Sequence, residues 1–135
     1  MAIRPAANTR CSRPLPRQGQ TFRVYKISKR YDQDISTVCG AFNLVIKDGQ
    51  IASARLAFGG MAATPMRAEA AEQALTGKRL GDAAAIADAR AAIAQTFTPL
   101  TDMRGSADYR ARVAANLMDR YALDVAGETV EVMAL

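Results

Sequence analysis

Two alternating apolar runs that meet at Lys47-Asp48-Gly49-Gln50 constrain this chain more than any other feature. Val38 to Ile46 sets Phe42, Leu44 and Ile46 on one side of an extended backbone. Ile51 to Phe58 presents Ala52, Ala54, Leu56 and Phe58. Side chains alternate across a strand, so each run has an apolar face, and Asp-Gly between them is a hairpin signal. Register follows from keeping those faces together. Pairing Ile46 with Ile51 splits the apolar sets between faces. Pairing Ile46 with Gln50 sets Leu44 against Ala52, Phe42 against Ala54 and Val38 against Phe58. The expectation is an odd-length loop with Gly49 left-handed in a bulge. One sheet face is then apolar and must be covered.

The second half supplies the cover. Thr64-Pro65 reads as an N-cap followed by proline at the first helical position, and Gly77 as the stop of that helix. Asp82 can cap a second, alanine-rich helix running to Phe97, with Ile86, Arg90, Ile93 and Phe97 along a narrow stripe. Ser106 can cap a third, with Val113, Leu117 and Tyr121 in line and Ala114 and Met118 beside them. Gly127 stops it, leaving Thr129 to Val132 as a candidate last strand. Upstream, Thr21 to Ile27 alternates as a short strand, and Asp32 or Asp34 is placed to cap a brief helical turn. Strands followed by helices argue for an α+β fold: a small antiparallel sheet of about three strands, covered on one face by three helices. At 135 residues this is one domain, spanning 21–135, behind an extended or disordered basic lead-in at 1–20 that carries Pro5, Pro14 and Pro16.

Charge is segregated. Residues 1–31 hold eight cations and no acid, while the remainder holds ten cations and thirteen acids. Such an arm can attract nucleic acid, but sparse aromatic interleaving and the lack of any nucleic-acid motif argue against that partner. No segment has the apolar length of a membrane span, and residues 1–20 lack the apolar centre of a secretory signal, so the expected setting is cytoplasmic. Cys11 and Cys39 are too few for a zinc site, an iron–sulfur cluster or a disulfide framework. With no histidine in the chain, Ser28, Ser36 and Ser106 have no base to form a hydrolase triad. An autonomous enzyme is poorly supported.

The basic residues concentrate where the first strand ends. Arg23, Lys26, Lys29 and Arg30 precede the first acid, Asp32, at a strand-to-helix corner where cations and free backbone N–H groups can receive an anion. Gly59-Gly60-Met61 follows a strand but lacks the spacing of a dinucleotide fingerprint or a phosphate-binding loop, and reads first as a packing turn. Arg67, Glu69 and Glu72 read as a solvated helix face. Asp102 and Arg104 read as a structural pair before the third helix, with Tyr109 and Arg110 packing or pairing locally.

Three segments carry a family resemblance. Lys26-Ile27-Ser28-Lys29-Arg30-Tyr31-Asp32-Gln33-Asp34-Ile35-Ser36 resembles the entry of the C-terminal domain of the flavoprotein component in the xanthine dehydrogenase and carbon monoxide dehydrogenase family. Ala57 to Ala68 resembles its hairpin exit and first helix, and Phe97 to Arg110 the start of its last helix. The three occur in family order, span roughly Pro14 to Leu123, and are worded most like bacterial xanthine dehydrogenase small subunits.

The resemblance implies a place beside FAD in an oxidoreductase of purine catabolism. Hydroxylation there occurs at a molybdenum cofactor, and electrons pass through two iron–sulfur clusters to FAD and then NAD. Lys26 falls where the family has a flavin-contacting lysine, and Arg30 to Asp34 match a loop near the flavin face, which makes Lys26 and Arg30 the candidate cofactor-binding residues. No catalytic or metal-binding residue is expected within the chain. The main flavin-binding domain, the ferredoxin-like cysteines and the molybdopterin-binding parts have no counterpart in it. The expectation is a truncated or isolated fragment, inactive alone, that shares FAD with another domain and has the iron–sulfur and molybdopterin parts as partners. The rival expectation is a stand-alone interaction module that keeps the fold without the flavin.

Overall fold

The computed structural model describes residues 16–30 and 33–128. Four strands, β1 (Gln20–Ile27), β2 (Val38–Lys47), β3 (Gln50–Gly59) and β4 (Met66–Arg67), precede three helices, α1 (Glu69–Leu75), α2 (Ala83–Thr96) and α3 (Ala107–Ala126). The strands form one antiparallel sheet in the order β1-β2-β3-β4. The α+β expectation holds, with a fourth strand added. The candidate strand at Thr129–Val132 and the cap at Asp32 lie outside the described residues. Asp34 caps no helix.

The hairpin is where sequence and structure part. Asp48 and Gly49 both take positive φ, 52° and 75°, and make a two-residue turn whose twist suits the flanking strands. Ile46 therefore pairs with Ile51, and Lys47 with Gln50. The odd residue sits in β3, where the register shifts between Val45 and Ile46 on the β2 side and Ala52 is left over. From there Leu44 meets Ala54 and Phe42 meets Leu56. The expected pairing of Leu44 with Ala52 is thus wrong by two residues, which preserves the faces. The bulge reconciles both demands: it turns Ile51 into the core beside Ala54, Leu56 and Phe58, while Ala52 and Ser53 face outward.

The helices close over the inner face. Phe42 lies at the centre, stacked on Tyr121 of α3 at 5.0 Å and edge-on to Tyr25 and Phe58 at 5.8 and 5.6 Å. Burial of each such ring contributes about 1.5–3 kcal/mol. Asp82 and Ser106 cap α2 and α3 as expected, accepting from Ala84 N and Tyr109 N. Gly127 ends α3 in the left-handed region. On α2 the fully buried line is Ala85, Ala89 and Ile93 rather than the line through Ile86 and Arg90, because small side chains let α2 approach its neighbours closely. The first helix starts later than Thr64-Pro65 suggests. Met66-Arg67 instead pairs with Ala57-Phe58, and the helix begins at Glu69. Among the described residues no helix is long and apolar enough to cross a membrane.

Candidate functional site

Alternation along β1 sends Tyr25 into the core and Lys26 to the uncovered face of the sheet. Lys26 pairs with Cys39, and Cys39 with Gly59, so a cross-strand row runs from a lysine over two small residues. The next row outward holds Val24, Ala41 and Ala57, also small beyond Val24. Among the described residues the Lys26 ammonium makes no hydrogen bond or ion pair. Its field does reach Asp34. Desolvation works against ionisation of that carboxyl, but the amides of Arg30 and Ile35 and the charges of Arg30 and Lys26 hold it below the usual range. Arg30 is itself exposed and pairs with Asp34 at 3.9 Å. Lys26 on the strand and Arg30 in the following loop are therefore linked through one carboxylate.

At the end of this row three loops meet. They follow β1, follow β3 and precede α3, and they contain the three segments singled out in the sequence. A cleft of about 420 Å³ opens among them, lined by Ile35, Cys39, Gly59, Gly60, Leu100 and Arg110, with others. Arg110 ties the loops together. Its Nη1 donates to the carbonyls of Thr37 at 2.6 Å and Gly60 at 2.8 Å, and its Nη2 to Asp102 Oδ1 at 2.6 Å. Asp102 also accepts from the amides of Arg104 and Gly105, and these donors with Arg110 hold its carboxyl below the ordinary value. Arg104 lies 3.9 Å from Asp102, so the closer partner is Arg110. Gly60 at φ 79° permits the approach: a Cβ there would stand 2.3 Å from the Thr37 carbonyl oxygen.

Arg110 and Glu72 are what sequence reasoning missed. Arg110 is 4% exposed, and it continues the buried line Ala114, Leu117, Met118 and Tyr121 one turn toward the N-terminus of α3. That periodicity was the available signal. Glu72 is 6% exposed and is no solvated-face residue. It accepts from Leu56 N at 2.8 Å and from Arg67 Nε and Nη2 at 3.0 and 2.5 Å, extending the sheet edge beyond β4. A separate groove of about 660 Å³ between α2 and α3, lined by Leu80, Ile86 and Leu123 among others, holds none of the three segments.

Residues 23–125 match the family described as CO dehydrogenase flavoprotein C-terminal domain. The chain is 35% identical over 119 residues to nicotinate hydroxylase of Emericella nidulans, covering 84% of this chain and 9% of that protein. It is 36% identical over 110 residues to xanthine dehydrogenase of the same organism, covering 80% and 8%. Reconstituted CO dehydrogenase from Oligotropha carboxidovorans superposes with a TM-score of 0.72 at 32% identity, over 82% of this chain and 38% of that one. The chain thus spans under a tenth of the two curated relatives and well under half of the solved one. It belongs to the CO dehydrogenase flavoprotein C-terminal domain family.

Proposed function

We propose that this chain forms the flavin-side C-terminal domain of a molybdenum–iron–sulfur–flavin oxidoreductase of the xanthine dehydrogenase type, working in the cytoplasm in purine catabolism. FAD is shared with a flavin-binding domain elsewhere in the enzyme. Molybdopterin and 2Fe-2S clusters belong to partner domains or subunits, and NAD takes up the electrons. The observation that carries this reading is Lys26: an exposed ammonium with no hydrogen bond or ion pair among the described residues, at the head of a row floored by Cys39 and Gly59, beside a loop tied down from two other parts of the chain.

These residues fit half of a flavin site. The small-residue row allows a flat ring to approach the sheet, while Lys26, Arg30 and Arg55 supply positive charge on or near that face. Among the described residues nothing encloses such a ring from the other side. When bound, FAD supplies the electron acceptor. Lys26 favours negative charge on the ring, an electrostatic contribution strengthened where partner surfaces exclude water. Arg30, held by Asp34, adds a second cation that reaches the ligand from the loop.

Co-expression with a flavin-binding fragment tests this. Lys26→Met should weaken flavin retention in the reconstituted flavoprotein about tenfold, with Lys26→Arg less affected. Unchanged flavin affinity and potential in K26M would remove Lys26 from the site. A second reading, a stand-alone interaction module, draws on Phe22 and Val24, which are 45% and 51% exposed on the uncovered face. Recovery of a holo-flavoprotein excludes it.

A further inference from the structure

We propose that Arg110 is a positioning residue, holding the Lys26 end of β1 and the flanking residues 28–30 and 33–36 in place through the carbonyl of Thr37. Its consequence at the flavin rests on the reading above; its action on the loop does not.

Arg110 is almost wholly buried, and its Nε is buried without a partner among the described residues. Its one carboxylate partner among the described residues, Asp102, is more than a third exposed. Burying a guanidinium on these terms is costly, and replacing a buried ionic cluster as a whole by apolar side chains of similar volume is often neutral or stabilising. Stability alone therefore does not explain the charge. Geometry does. A planar fork with five donors can hold two carbonyls and a carboxylate from three loops at once, which neither a lysine nor an apolar side chain can do.

The connection to Lys26 is short and continuous. Arg110 holds the Thr37 carbonyl, and the Thr37 amide donates to Ile27 O at 2.7 Å. Ile27 directly follows Lys26. Thr37 Oγ1 also donates to Arg104 O at 3.0 Å, and the Lys29 ammonium donates to the Met103 carbonyl. The loop after β1 is thus pinned at its stem and again near its start, both times to the segment before α3. If Thr37 moves, so does the strand end that presents Lys26.

Hydrogen exchange on the full chain tests the positioning directly. In R110K, which keeps the charge but loses the fork, amides of 27–37 should exchange about tenfold faster or more. Amides of 42–46 and 54–58, inside the sheet, should keep their rates. Unchanged exchange in 27–37, or equal acceleration everywhere, overturns the proposal. The second arm uses the reconstituted flavoprotein and a double-mutant cycle. A flavin potential shifted by R110K when Lys26 is present, and not in the K26M background, shows action through Lys26. Equal shifts in both backgrounds, or none in either, count against it. If K26M alone leaves both flavin affinity and potential unchanged, Lys26 leaves the flavin site, and exchange in 27–37 still decides the role of Arg110.

Discussion

A carboxylate removed from water is stable only when its lone pairs are filled, and Glu72 shows how fully this chain meets that demand. Burial alone would raise its carboxyl above the usual 4.5, but hydrogen bonds from Arg67 and the Leu56 amide, with the Arg67 charge, hold it lower. Glu72→Ala strands the Leu56 N–H and half of Arg67. It should cost about 2 kcal/mol in urea unfolding, below the range for fully buried pairs because Arg67 is half exposed. The same group fixes the sign of a pH effect. Its folded value is depressed, so its stabilisation is complete above about 4.5 and is lost as pH falls toward and through that folded value. Glu72→Gln should therefore flatten the acid limb of a stability-against-pH curve; an unaltered limb would assign it to other carboxyls such as Asp34 and Asp102. Glu72 and Arg110 are also the residues whose place was least legible locally. Each is a charged side chain inside an amphipathic helix, and its burial depends on partners such as Leu56, Thr37 and Gly60 that other elements bring to it.

Elements differ in how much of their geometry their own residues impose. The β2–β3 turn is local: Asp48-Gly49 suffices, and a Cβ on Gly49 would meet nothing within 4 Å. The turn after β3 is not, since Gly60 owes its conformation to the Thr37 carbonyl and the Arg110 guanidinium packed against it. Gly49→Ala should therefore cost only the left-handed backbone penalty, about 1 kcal/mol. Gly60→Ala should cost roughly 3 kcal/mol or more, since the backbone must also move. Parallel urea titrations check the contrast, and equal costs would mean the three loops are less tightly joined than the distances indicate. The helix caps at Asp82 and Ser106 were readable because capping uses a side chain and the amides that follow it. The start of α1 was not readable, because β4 forms through hydrogen bonds to β3, which Thr64-Pro65 does not encode.

At the scale of the whole molecule, the described residues cover the sheet on one face and leave the other open, and the candidate site lies on the open side. That arrangement predicts weak flavin binding by this chain alone. A flavin-fluorescence titration should give no tight complex, whereas addition of a flavin-binding fragment should. Tight binding by the chain unaided would contradict the half-site. The sequence by itself determined the α+β class, strands β1 to β3 and the caps of α2 and α3, since alternation and capping act over a few residues. Only the tertiary structure decided three things: the two-residue slip absorbed at Ala52, the burial of Glu72 and Arg110, and the meeting of three distant loops at Arg110. The physical reason is common to all three. Register shifts of two preserve the apolar faces, and buried charges require partners, so in each case the choice rests on contacts between segments far apart in the chain.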